Sequence, residues 1–170
     1  MSQELTQMEM ARKGLISKEV KEAALAECIA PELLRDRVAR GTAVICRNRC
    51  HTHGIPLAVG QGLRTKVNAN IGTSADDQSI DKELEKARVA VAAGADSLMD
   101  LSTGGPINEI RQAIIKETSA CIGSVPLYQA AVDTVTLQHK PMVDMTVDDI
   151  FAGVVKHLDD GVDFITVHCG

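Results

Sequence analysis

TKVNANIGTS (residues 65–74) reads as a strand running into a glycine turn, and it carries two asparagines, Asn68 and Asn70. A strand covered on both faces is normally a nearly continuous apolar run. A buried amide without a partner costs about 1–3 kcal/mol. One face of this strand must therefore meet water or a ligand. From here onward the pattern alternates strand and helix. SIDKELEKARVAVAAG (79–94) is a predicted helix with Ser79 as its cap, Ile80, Leu84, Ala87 and Val91 on one face, and Gly94 at its end. DSLMDLST (96–103) is the second strand. Gly104-Gly105-Pro106 opens a helix with Ile107, Ile110 and Ile114 inward. SVPLYQ (124–129) is read as the third strand. Thr146 caps a further helix that Gly161 ends, with Asp148 and Asp149 in its first turn, where the macrodipole favours acids. DFITVHCG (163–170) is read as the fourth strand.

GADSLMDLS and GVDFITVHC share Gly-x-Asp before a short apolar strand, and both gather polar residues at the strand's end. Repeated βα units look like this. The first βα turn, NIGTSADDQS, lacks a G-x-G-x-x-G fingerprint, which disfavours a dinucleotide-binding sheet. The reading is α/β: a partial (β/α)8, TIM-type barrel of about four βα units behind an N-terminal helical segment. A full barrel needs roughly 250 residues, so this chain is read as truncated, with residues 1–61 as the helical segment and connecting strand and 62–170 as the first half of the barrel. Residues 1–40 read as helical, with Ser17 as a cap, Pro31 restarting the helix and Gly41 stopping it; TAVIC (42–46) is strand-like.

Composition narrows the function. The chain has 170 residues, is 45% apolar, and carries a net charge of −5 with both signs interspersed. That excludes a basic nucleic-acid footprint and a membrane-binding patch. Its only aromatics are Tyr128, Phe151 and Phe164, too few for a base-stacking platform. No run approaches a membrane span and no signal peptide opens the chain, so a cytoplasmic location is expected. Five cysteines, an odd number, argue against a disulfide framework. In CRNRCHTH (46–53), Cys46, Cys50, His51 and His53 are metal-ligand types, but a second knuckle is missing, and a surface or rim loop is the preferred reading.

In a barrel the strand ends converge on one mouth. They offer Asn68 and Asn70; Met99, Asp100, Ser102 and Thr103; Tyr128 and Gln129; and His168 and Cys169. Amides, a phenol and an imidazole suit a small, polar, nitrogen-rich ligand. Gly72-Thr73-Ser74 and Gly104-Gly105 are candidate phosphate turns, each more readily read as an ordinary tight turn.

TQMEMARKGLI (6–16), GLRTKVNANIGTS (62–74), GADSLMDLSTGG (94–105), SVPLYQA (124–130) and GVDFITVHCG (161–170), taken together and in this order, resemble the phosphomethylpyrimidine synthase (ThiC) family of thiamine biosynthesis. The resemblance implies a (β/α)8 barrel that uses S-adenosylmethionine, a four-iron four-sulfur cluster and zinc. The family is a radical lyase that rearranges 5-aminoimidazole ribotide into the phosphorylated pyrimidine of thiamine. It implies substrate contacts at Asn70, Met99, Tyr128 and His168, with Asn68 supporting Asn70, and a cytoplasmic homodimer in the full-length family. The family's cluster motif, C-x2-C-x4-C, and its zinc histidines have no counterpart here, so no catalytic or metal residue is assigned and the chain alone is expected to be inactive. A second departure is ICRNRCH (45–51), where most members read close to IPANINH. Altered residues near the pocket would suit a paralogue that makes 5-hydroxybenzimidazole from the same substrate. A non-catalytic half-barrel serving binding or assembly is the third reading.

Overall fold

A computed structural model describes residues 5–169. The expected helical start at residues 1–4, and Gly170, lie outside the described residues. The chain divides into two compact units.

The first unit takes the described residues through Arg47 together with Ile55–Lys66. Three short helices, α1 (Gln7–Arg12), α2 (Lys18–Ala26) and α3 (Pro31–Ala39), precede an antiparallel pair, β1 (Ala43–Cys46) and β2 (Leu57–Gly60). Each helix starts where a first-turn N–H is satisfied or missing. Thr6 and Glu9 form a capping box on α1, Ser17 accepts from Val20 N on α2, and Pro31 opens α3. Val20, Ala23, Ala24, Leu34 and Val38 form the core against Ala43 and Ala58.

The second unit, Asn48–Gly54 plus Val67 onward, holds the alternating pattern. Its elements are β3 (Asn68–Ile71), α4 (Ile80–Ala92), β4 (Ser97–Asp100), α5 (Ile107–Glu117), β5 (Cys121–Ser124), α6 (Pro126–Thr136), a 3-10 turn (Met142–Asp144), α7 (Val147–Asp160) and β6 (Phe164–Ile165). The four strands form one parallel sheet in chain order, β3-β4-β5-β6. Ser79 and Thr146 cap α4 and α7, and Gly161 ends α7 with φ +109°.

Ile71, Leu98 and Ile122 turn toward the helices and pack with Ala87, Ile110, Ile114 and Ile115. Burying each such aliphatic side chain contributes about 1.5–3 kcal/mol. Because side chains alternate along a strand, their neighbours Asn70, Met99 and Gly123 lie on the opposite face, in register with one another and with Phe164.

Three expectations are corrected. The third strand is Cys121–Ser124, not a strand running through Tyr128. Pro126 has no N–H to offer a ladder and a φ already suited to a first helical turn, so the chain enters α6 there. The fourth strand is only Phe164–Ile165, and His168 and Cys169 lie beyond its end. Val91 remains 37% exposed, and Ala90 packs on the core in its place.

Candidate functional site

The face of the parallel sheet opposite α4 and α5 carries one register row: Asn70 on β3, Met99 on β4, Gly123 on β5 and Phe164 on β6. Asn70 is exposed, and among the described residues its side-chain amide makes no hydrogen bond, so both its donor and its acceptor are available. Met99 beside it is buried to 7% exposure and gives a soft apolar wall. The row below pairs Asn68 with Ser97, whose hydroxyl donates to Asn68 Oδ1 at 2.8 Å. Asn68 is thus held by Ser97 rather than by Asn70. Solvent reaches this face, which answers how a strand tolerates two asparagines.

Tyr128, in the first turn of α6, and His168, beyond β6, stack on one another. Their ring centroids are 6.1 Å apart and their planes 18° off parallel. The structure therefore gathers the four expected contacts as two pairs, Asn70 with Met99 and Tyr128 with His168. Phe164 belongs to the same face and was not singled out from the sequence. A Cβ on Gly123 would lie 2.2 Å from Phe164 Cζ, so the ring occupies the space a β5 side chain would fill. Glycine inside a strand is the signal that marks such a close approach.

Other strand-end residues do different work. Asp100 accepts from Ser102 N and Oγ, at 3.0 and 2.5 Å, and Ser102 Oγ also accepts from Thr73 N. Burial pushes the Asp100 carboxyl up from its ordinary range, with the Ser102 bonds and Arg111 opposing. These groups tie the β3–α4 loop to the β4–α5 loop. The Gly72-Thr73-Ser74 turn spends all three N–H groups: Gly72 donates to buried Glu83, Thr73 to Ser102, and Ser74 to Asp77 O. A side-chain carboxylate already sits where a phosphate would bind. Gly104 lets the two loops touch, since a Cβ there would lie 2.3 Å from Ser74 O. A groove of about 200 Å³ opens beside Gly105 and Pro106, but Glu109 and Asp133 line it and disfavour an anion.

Gln129, expected at the mouth, points instead into a buried polar cluster on the helix side. Arg111 is fully buried, donates to Asp160 from Nε and Nη2 at 3.0 and 2.6 Å, and donates to Asn108 from Nη2 and to Gln129 from Nη1. His157 places Nδ1 2.7 Å from Ser124 Oγ and Nε2 2.8 Å from Gln129 Oε1. Burial, reinforced by the Arg111 charge, drops the His157 pKa to about 3, so the ring is neutral.

The 48–54 segment is not a loose rim loop. Asn48 Nδ2 donates to Leu158 O and Val162 O, and Asn48 N to Asp163 Oδ1. His51 is fully buried between Asp163 Oδ2, 2.8 Å from Nδ1, and Thr118 O, 3.0 Å from Nε2. These anchors precede β5 and β6. They lie before the N-terminal ends of those strands, and Asn48 and His51 are positions where ICRNRCH keeps the family pattern rather than departs from it. Among the described residues, no three His, Cys, Asp or Glu side chains gather as a metal site, and no helix is long and apolar enough to cross a membrane.

A model of the Radical SAM ThiC family matches residues 6–170. Phosphomethylpyrimidine synthase 2 of Syntrophotalea carbinolica is 69% identical over 166 residues, covering 98% of this chain and 39% of that protein. Phosphomethylpyrimidine synthase of Geobacter metallireducens is 69% identical, over 97% of this chain and 38% of that protein. The enzyme of the same name from Pyrococcus furiosus is 51% identical, over 98% and 38%. The chain thus spans about two fifths of the length of the curated relatives it matches.

Proposed function

The chain belongs to the radical SAM ThiC family, and on that premise we propose that its second unit supplies one wall of the substrate pocket of a phosphomethylpyrimidine synthase. The substrate is 5-aminoimidazole ribotide and the product the phosphorylated pyrimidine of thiamine. The observation that carries this reading is the row Asn70–Met99–Gly123–Phe164 on the face opposite α4 and α5, with the Tyr128–His168 stack beyond the strand ends. A parallel sheet in chain order, with aliphatic packing against helices on one face, supports a (β/α)8 barrel segment whose open face looks inward. The cytoplasmic location and homodimeric state implied by the resemblance belong to the same proposal.

Each residue's task follows from its chemistry. Asn70 offers an amide donor and acceptor to the ring nitrogens or the exocyclic amine of an aminoimidazole. Met99 and Phe164 exclude water from one side of that ring. Tyr128 and His168 add aromatic faces and two polar edges. Together they bind and orient, which lowers a barrier by fixing geometry in advance. S-adenosylmethionine and a four-iron cluster supply the radical in this family. The donors here do not fit a cluster or a zinc ion, because no three ligand-type side chains converge among the described residues. The roles assigned to this chain therefore stop at binding and orientation.

Calorimetric titration of the chain with 5-aminoimidazole ribotide, after circular dichroism shows it folded, tests the reading. Asn70→Ala is expected to weaken binding about tenfold, the value of one good hydrogen bond near 1.4 kcal/mol. Affinity unchanged by Asn70→Ala removes Asn70 from the pocket.

A further inference from the structure

We propose that Gln129 is a positioning residue, clamped by Arg111, Asn108 and His157, that fixes the first turn of α6 and so holds the Tyr128 ring in its stack on His168. The inference rests on the reading of Tyr128 as a substrate contact. Its test does not depend on that reading.

Tyr128 itself is weakly restrained. It is 37% exposed, and the one ring against it among the described residues, His168, is exposed as well. Its neighbour is the opposite case. Gln129 is 2% exposed and saturated: Oε1 meets Arg111 Nη1 and His157 Nε2, each at 2.8 Å, and Nε2 donates to Asn108 Oδ1 at 2.7 Å. The clamp draws on three elements. Arg111 and Asn108 come from α5, His157 from α7, and Ser124 at the end of β5 fixes the far side of the imidazole. Gly153 of α7 completes the seat, since a Cβ there would lie only 3.3 Å from Pro126 O. A helix ordinarily frays at its first turn, where four N–H groups lack partners. Here α6 has no side-chain cap, and buried Pro126 and Gln129 hold the turn instead. A one-residue step along that turn carries the restraint from Gln129 to Tyr128. No buried side-chain polar atom among the described residues is left without a partner. Such closed networks hold one arrangement, because every alternative strands a buried group.

The chain contains one tyrosine and no tryptophan, so 3-fluorotyrosine labelling gives a single 19F line that reports Tyr128 alone. His168→Ala is expected to shift that line and defines the unstacked position. Gln129→Met, which keeps volume and removes the polar ends, is expected to move the line toward that position and broaden it. Ile114→Val, in the core outside the clamp, is expected to lower Tm while leaving the line in place. If Gln129→Met does not fold, Asn108→Ala at a half-buried site is expected to move the line the same way. A folded Gln129→Met or Asn108→Ala protein whose line stays at the wild-type position overturns the proposal. Substrate affinity enters nowhere in this readout, so failure of the clamp and failure of the pocket assignment are told apart by the 19F line and the calorimetric titration respectively.

Discussion

Asp163→Ala is expected to be among the most damaging single changes in the second unit, although Asp163 is not itself one of the candidate pocket residues. Its carboxylate accepts from three donors: Asn48 N at 2.7 Å, Ile122 N at 2.9 Å and His51 Nδ1 at 2.8 Å. The other ring nitrogen of His51 faces Thr118 O. A carboxylate and a carbonyl are both acceptors, so the geometry suits an imidazolium paired with the Asp163 carboxylate. The two side chains are 0% and 2% exposed. Removing one member of such a buried pair costs about 3–5 kcal/mol, because the surviving charge loses its partner while still out of water. Urea unfolding followed by the single tyrosine's emission reads this unit directly. With a slope near 2 kcal/mol/M, the midpoint should fall by about 2 M. Adding His51→Leu to Asp163→Ala removes the stranded charge and is expected to recover part of that loss. A midpoint within about 0.5 M of wild type, equivalent to about 1 kcal/mol, refutes the ion pair as an anchor. Strict additivity of the two changes would refute it as well.

His157 should make the fold acid-sensitive. Its pKa lies near 3 in the folded protein and near 6.5 when unfolded, so the unfolded chain binds more protons between those values. Stability is complete above about pH 6.5 and is lost as pH falls toward 3, by at most about 4–5 kcal/mol. Asp100, raised by burial, acts in the opposite direction, losing stability as pH rises above its ordinary range. Urea midpoints of wild type and His157→Gln across pH 3–7 separate the two, and equal slopes would remove His157 as the source. Gly123→Ala should cost about 1–3 kcal/mol by driving the new methyl into the Phe164 ring. Phe164→Leu in the same chain should return part of that, and a thermal melt showing no rescue would deny the contact. Asn70→Ala should leave Tm unchanged, since the amide is exposed and bonds nothing in the fold; a clear fall would show a structural role instead.

The alternation of elements was legible because it rests on local chemistry. Ser17, Ser79 and Thr146 each accept a hydrogen bond from a first-turn N–H, as their positions suggested. Ile107, Ile110 and Ile114 fall on one buried stripe. Strand lengths were less legible. VPLYQ after Ser124 looks extended by composition, yet Pro126 is better placed at a helix start than in a ladder, and that preference decided the structure. The role of residues 48–51 was not legible at all. His51 finds Asp163 across 112 residues, and nothing local in CRNRCHTH distinguishes a buried anchor from an exposed loop.

The site shows why polar residues at strand ends are an incomplete guide. Asn70 and Asp100 both lie within the last two residues of parallel strands, and both look like ligands in a list of residue types. The pleat separates them. Asn70 shares a row with Met99 and Gly123 on the face turned away from α4 and α5, whereas Asp100 shares the next row with Ser124, which meets His157. A one-residue offset therefore divides groups free to meet a ligand from groups consumed in holding loops and helices. The same division runs through Tyr128 and Gln129, adjacent in sequence and turned to opposite environments. Each row depends on the other. Ligand-facing side chains that are exposed and unbonded hold a geometry only if their neighbours are fixed, and here the fixed neighbours are the buried, fully bonded residues one position away.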